Sequence, residues 1–297
     1  MNRATVVFAA IVLFLQASIG QAATGAAMES RLISGPESAG QWTATECTLQ
    51  SSTDHSRNGK PLLHWHVTVD YLHGEPKYLI GWPRITLAIK DKHERDWSGW
   101  EYLQAWIYTD TSRDSLPASE PAGLSFNAPD REHSEHVVLK ELTKGKWVLV
   151  RIPISSIAGL DDVRMFQFNI SERVYRHLDQ VDFYIDGLSL TRYAQPTIVQ
   201  FSAESQLAYC DAGHIAVQFE VRGLRAGQNQ DVVCQLLRDN QVVSSAAGLA
   251  TAGLNRFVLN VNKAKLAEGE YEVCGRLGGA VASSPVRLVK SPWESTK

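Results

Sequence analysis

Apolar and polar residues alternate along most of this chain in short runs, each closed by glycine, proline or a polar cluster. Over 102–109, Leu103, Ala105 and Ile107 occupy one set of alternate positions and Gln104, Trp106 and Tyr108 the other. Side chains two apart along a strand share a face, so this pattern predicts a β-strand with one buried side. The same period predicts strands over 30–33, 42–49, 62–71, 85–89, 123–127, 136–141, 147–153, 163–171 and 181–192, separated by turn residues at 59–61, 74–76, 117–121 and 144–145. A single turn of helix is expected near 154–160, and no stretch carries a sustained helical period.

Gln195-Pro196 marks a joint. Beyond it aromatics thin out, alanine, glycine and valine rise, and strands are expected over 197–203, 214–222, 231–238, 241–246, 254–261, 270–277 and 285–289. Many short strands at such spacing define an all-β chain of sandwich or jelly-roll type. The second set, in roughly a hundred residues, suggests an immunoglobulin-like sandwich. The expected organisation is a leader over 1–23, a first sandwich over 26–195, a second over 196–290 and a loose tail over 291–297.

The leader rests on residue order. Arg3 precedes an apolar run over 6–15, and small residues follow at Ala17, Ser18, Gly20, Ala22 and Ala23. Charge, apolar core and small residues in that order form a secretory signal, and the run is short for a membrane span. An uncleaved anchor is the alternative. Export to the periplasm, the cell surface or the medium is therefore expected, with no transmembrane segment once the signal is removed. Four cysteines would then meet an oxidising compartment. Cys234 and Cys274, both mid-strand in the second half, are the expected disulfide, with Cys47 and Cys210 either paired or free.

A net charge of −3 across 297 residues, with no dense Lys/Arg run, argues against nucleic acid as a partner. Eight tryptophans are a generous supply. The outward positions of the first half mix rings with carboxamides: Gln104, Trp106 and Tyr108 on one strand, Gln167 and Asn169 on another. Sugars offer apolar C–H faces and many hydroxyls, so one surface bearing these residues would suit a polysaccharide. The alternative is that Trp106 and Tyr108 are covered by a loop or by the second domain.

Three segments carry a family resemblance. Asp96-Trp97-Ser98-Gly99-Trp100-Glu101-Tyr102-Leu103-Gln104-Ala105-Trp106-Ile107-Tyr108, then 145–154 around Trp147 and Arg151, then 181–190 around Asp186, resemble the early, middle and closing strands of galactose-binding-like jelly rolls. The resemblance covers roughly 30–193. It implies that fold and an association with carbohydrate, without chemistry. It also implies a structural calcium, with Asp186 matching the closing-strand Asp of the family, though no cofactor is required. As an inert spacer the same fold also sits beside secreted enzymes, so an extracellular enzyme or surface assembly is the second class of partner.

Other constellations weigh less. His64 and His66 share one strand face, a spacing that clasps a metal, with His73 nearby; His133 and His136 offer a second pair. Asp91, Glu94 and Asp96 fall within one polar loop, where a solvated turn competes with the two-carboxylate arrangement of a glycosidase. Arg173, Arg176 and His177 would meet an acidic sugar if they face one. Asp54-His55-Ser56 holds triad residue types, but neighbours in a turn cannot converge as a triad must. A glycosidase or lyase accessory remains open. It predicts paired carboxylates, or a Tyr/His/Arg cluster, in a cleft.

Overall fold

The alternating runs become strands throughout. In the computed structural model the described residues are 27–73, 81–127, 135–154, 157, 159–225, 227–261 and 266–292, and the expected leader, His133 and most of the expected tail lie outside them. The described residues are all β apart from short 3-10 turns. None of their helices is long and apolar enough to cross a membrane. The chain divides into two units, Ala27–Gln195 and the part from Pro196 onward.

The first unit contains β1 (Met28–Ser34), β2 (Trp42–Thr45), β3 (Thr48–Ser52), β4 (Leu62–Thr68), β5 (Arg84–Ala88), β6 (Tyr102–Thr111), β7 (Gly123–Asn127), β8 (Glu135–Val138), β9 (Trp147–Pro153), β10 (Met165–Asn169) and β11 (Gln180–Tyr193). One sheet runs β3-β4-β11-β6-β9, with β1 alongside the second half of β11; the other runs β2-β5-β10-β7-β8. All their pairings are antiparallel, and the chain repeatedly crosses from one sheet to the other, as in a jelly roll. Core-facing positions of both sheets meet between them. Trp65 stacks on Phe183 at 4.5 Å, and Trp42, Trp97 and Phe166 pack edge to face.

The single strand expected over 42–49 is two strands in different sheets. Glu46 between them has a left-handed backbone, φ 58°, which breaks the extended run and carries the chain across the sandwich. Its carboxylate accepts from the Trp82 backbone N–H at 2.6 Å, so the corner is tied to the loop entering β5. The helical turn expected over 154–160 falls partly outside the described residues, and the nearest helical element is a 3-10 turn that begins at its last residue, Leu160–Asp162. Trp97, in the loop leading to β6, is wholly buried and fills the core beside Phe126 and Phe166.

The second unit contains β12 (Thr197–Ala203), β13 (Leu207–Tyr209), β14 (His214–Arg222), β15 (Asn229–Arg238), β16 (Gln241–Thr251), β17 (Gly253–Asn260), β18 (Gly269–Leu277) and β19 (Ala280–Val289). Its sheets are β12-β14-β17 and β13-β19-β18-β15-β16. The first strand of the unit divides between the sheets: β12 pairs with β14, while β13 runs parallel to β19. That arrangement is an immunoglobulin-like sandwich.

The disulfide expectation is corrected here. Cys234 and Cys274 are free thiols on neighbouring strands β15 and β18. Cys234 stands opposite Gly275, and Cys274 opposite Gln235. One residue of offset in a period of two sends the side chains to opposite faces, so their Cβ vectors diverge and no bridge can close.

Candidate functional site

The outer face of the β3-β4-β11-β6-β9 sheet holds an in-register row of rings. Gln50 lies opposite His64, His64 opposite Tyr184, Tyr184 opposite Tyr108, and Tyr108 opposite Trp147, one residue per strand across five strands. Directly opposed residues on one face are the closest side-chain neighbours in a sheet. Tyr184 therefore stacks on His64 at 4.4 Å, meets Tyr108 edge-on at 5.9 Å, and Tyr108 meets Trp147 at 5.8 Å. Burial among these rings, and then the nearby Asp182, Asp54 and Asp110, push the Tyr184 phenol pKa upward.

Two flanking rows frame the rings. On one side Trp106 lies between Asp186 and Leu149, and Gln104 accepts a hydrogen bond from Arg151 Nε at 3.2 Å. On the other, Asp182 lies between His66 and Asp110. His64 Nε2 and His66 Nδ1 are 2.7 and 2.8 Å from the same oxygen, Oδ1 of Asp182. Burial works against the charge on Asp182, but the two imidazole hydrogen bonds and the electrostatic attraction of both rings outweigh it, holding the carboxyl below its ordinary pKa. His73, expected to complete a cluster with these histidines, instead pairs with Asp70 at 2.7 Å.

The loop joining β3 to β4 reaches over part of this face. His55, held at φ 55°, lies flat on Tyr108 at 4.2 Å and edge-on to Tyr184 at 4.7 Å. Arg57 sits over Trp106 at 3.8 Å and reaches Asp186 at 3.9 Å. Trp106, Tyr108 and Trp147 remain half-buried, while His55 and Arg57 are exposed. The face is thus narrowed by the loop and left partly open.

The expectation of one surface bearing rings and carboxamides changes against this geometry. Gln104, Trp106 and Tyr108 share the ring-bearing face, but Gln167 and Asn169 do not. Both lie on β10 in the opposite sheet, and the outward sides of two packed sheets point away from each other, so the five residues cannot form one surface. Asn169 is wholly buried and donates to Ser125 Oγ at 3.2 Å; Gln167 lies opposite Thr86 and Ser125. The charged neighbour of Asp186 is the Arg57 guanidinium, 3.9 Å away. Among the described residues the only set of three His, Cys, Asp or Glu side chains whose ligand atoms lie within 4.8 Å of one another is His64, His66 and Asp182. Calcium requires six to eight oxygens.

His55, Arg57, Asp182 and Tyr184 were missed by sequence reasoning. Asp182 and Tyr184 belong to the same alternation as Phe183 and Ile185, so their outward direction was readable, while their strand neighbours were not. His55 and Arg57 are loop residues with no periodic signal. The Asp91, Glu94 and Asp96 group is an exposed, capped 3-10 turn in which Asp91 accepts from the His93 N–H at 2.9 Å, and Asp91 and Glu94 line a cleft with Arg31, Gln41 and Lys90.

No protein-family profile matches this chain, and a comparison with curated proteins found no match. Among solved structures it is similar to an exo-beta-agarase, at 8% identity and TM-score 0.35 over 55% of this chain and 24% of that one. It is also similar to the CBM27-1 module of Caldicellulosiruptor saccharolyticus in complex with mannohexaose, at 12% identity and TM-score 0.32 over 55% of this chain and 96% of the module. A third is a glycosyl hydrolase family 2 member from Bacteroides cellulosilyticus DSM 14838, at 11% identity and TM-score 0.26, covering 87% of this chain and 36% of that one. The chain spans less than two thirds of the length of either enzyme.

Proposed function

We propose that this is an exported glycan-binding protein that holds a polysaccharide on the ring-bearing face of its first unit and performs no chemistry on it. The observation that carries the reading is the in-register row His64–Tyr184–Tyr108–Trp147, flanked by Trp106. The half-buried rings of Trp106, Tyr108 and Trp147, backed by the buried Tyr184, supply flat apolar surface for sugar C–H faces, and Gln50, Gln104, Asp110 and Arg151 at its borders supply donors and acceptors for hydroxyls. Export follows from the order of residues in the leader. The second unit, an immunoglobulin-like sandwich, fits a spacer or a dock for a secreted enzyme or surface assembly.

One observation favours a catalytic reading. His55, Tyr108 and Tyr184 converge within ring-contact distances, and Arg57 sits over the neighbouring Trp106, the Tyr/His/Arg composition expected of a lyase. A tyrosine base, however, needs a lowered pKa, and that of Tyr184 is raised. Binding is the reading we favour, because it uses the whole in-register row rather than one side chain.

The test is affinity electrophoresis of the full chain through gels containing neutral and acidic polysaccharides, with product release assayed in parallel. Retardation by at least one polysaccharide is expected, weakened about tenfold or more by Trp147→Ala or Tyr108→Ala, which corresponds to about 1.4 kcal/mol. Trp82→Ala, remote on an exposed loop, should leave it unchanged. A folded chain that no polysaccharide retards would leave the spacer reading in its place.

A further inference from the structure

We propose that His64, His66 and Asp182 bind one divalent metal ion of the zinc class on the outer face of the first sheet. The inference stands apart from glycan binding and rests on three side chains that strand geometry delivers to one point. His64 and His66 are two apart on β4, so both rings leave the same face, and their centroids lie 6.3 Å apart. Asp182 is the register partner of His66 on β11 and projects between the two rings. The facing atoms are Nε2 of His64, Nδ1 of His66 and Oδ1 of Asp182, all within 4.8 Å of one another.

The spacing is close to that of a coordination sphere. With ligand bonds near 2.0–2.1 Å, ligands of a tetrahedral zinc ion stand about 3.3 Å apart. The two N···O separations here are 2.7 and 2.8 Å, so the ligand atoms need to spread by about 0.5 Å to take an ion. Two imidazoles and one carboxylate favour Zn2+, Ni2+ or Cu2+ over Ca2+ or Mg2+, which prefer all-oxygen surroundings.

Groups behind the ligands support the assignment. The nitrogen of each imidazole that points away from Asp182 has a polar neighbour: Gln50 Nε2 lies 3.4 Å from His64 Nδ1, and Thr68 Oγ1 lies 3.3 Å from His66 Nε2. Such outer partners fix ring orientation and tautomer in metal sites, and a side-chain amide can present either its nitrogen or its oxygen. Tyr184, stacked within 6° of parallel on His64, holds that ring further. The charged neighbour across the strand is Asp110, a carboxylate, opposite Asp182 on β6. The side chains of His66 and Asp182 are 33% and 25% exposed, so a fourth ligand, water or a sugar hydroxyl, can reach the ion from solvent.

The experiment is calorimetric titration of the full chain, stripped with chelator, with zinc chloride and, separately, calcium chloride. One zinc ion per chain is expected, with no calcium binding at the same concentrations. His66→Ala and Asp182→Asn should each weaken zinc binding at least tenfold, while His93→Ala, on an exposed turn, should not. In the unmutated chain the imidazole resonances of His64 and His66 should shift on zinc addition, a readout that does not depend on a variant folding. Absence of stoichiometric zinc binding, affinity unchanged by His66→Ala in a folded chain, or shifts confined to other histidines would each overturn the proposal.

Discussion

Tyr184 lies flat on His64, ring centroids 4.4 Å apart and planes 6° from parallel, because the two residues are register partners on β11 and β4. Tyr184 is also the most enclosed ring of the outer row, only 7% exposed, with Tyr108 and His55 closing its other sides. Removing it leaves a gap that three rings cannot fill from fixed strand positions. Tyr184→Ala is expected to destabilise the first unit by about 2–4 kcal/mol, read as a lower midpoint in denaturant. Tyr184→Phe keeps the stack and should cost less than about 1 kcal/mol. Equal loss in both variants would mean that the hydroxyl, not the ring, holds the row together.

Arg57 bears on how open the ring-bearing face is. Its guanidinium covers Trp106 at 3.8 Å and is held by Asp186 at 3.9 Å, yet it comes from an exposed loop. A cation over an exposed indole contributes about 0.5–1 kcal/mol, so Arg57→Ala should change stability little while uncovering Trp106. Polysaccharide retention should hold or strengthen in this variant. A sharp loss of retention would instead make Arg57 a direct ligand contact, the behaviour expected if the glycan is acidic.

Strand positions were legible because a period of two is written in the side chains themselves. The runs at 123–127, 147–153, 197–203 and 214–222 become strands with the same limits. The pattern is silent on two matters. It marks which residues of one strand face outward, but not which sheet the strand joins, and so Gln167 and Asn169 were grouped with Gln104, Trp106 and Tyr108 although β10 and β6 lie on opposite sides of the core. It also has no period in loops, which hid the placement of His55 and Arg57. The break at Glu46 is a backbone event that a run of apolar and polar letters from 42 to 49 does not record. Register matters in the same way for Asp182: the His64/His66 pair was visible, but its carboxylate comes from a strand more than a hundred residues later.

Register also decides the chemistry of Cys234 and Cys274. Cys234 faces the core of the second unit, where burial, and then the neighbouring Cys274, raise its thiol pKa to about 11. The thiolate is the reactive form, so Cys234 should alkylate far more slowly than an ordinary thiol in the native chain and fully once unfolded. Alkylation in denaturant without reductant, followed by peptide mapping, should label both Cys234 and Cys274. Recovery of a Cys234–Cys274 bridged peptide would show that β15 and β18 pair in another register.

Glu172 gives the clearest dependence on pH. Its buried carboxylate ties two separate stretches together, accepting the Asp70 N–H at 2.9 Å and the Gly81 N–H at 2.7 Å. Burial raises its pKa above the ordinary 4.5; the two backbone hydrogen bonds act the other way, and the nearby Glu46 and Asp70 add to the rise. A carboxyl whose folded-state pKa exceeds its unfolded value holds its proton more tightly when folded. Its contribution to stability is therefore fully present below pH 4.5 and is lost as pH rises through the folded value. Glu172→Gln removes that titration and leaves an amide nitrogen facing one of the two N–H groups, at a cost of about 1–3 kcal/mol. The gap in melting temperature between the two proteins should narrow as pH rises through this window. A gap that widens instead would mean that the two backbone hydrogen bonds to the ionised carboxylate outweigh its burial.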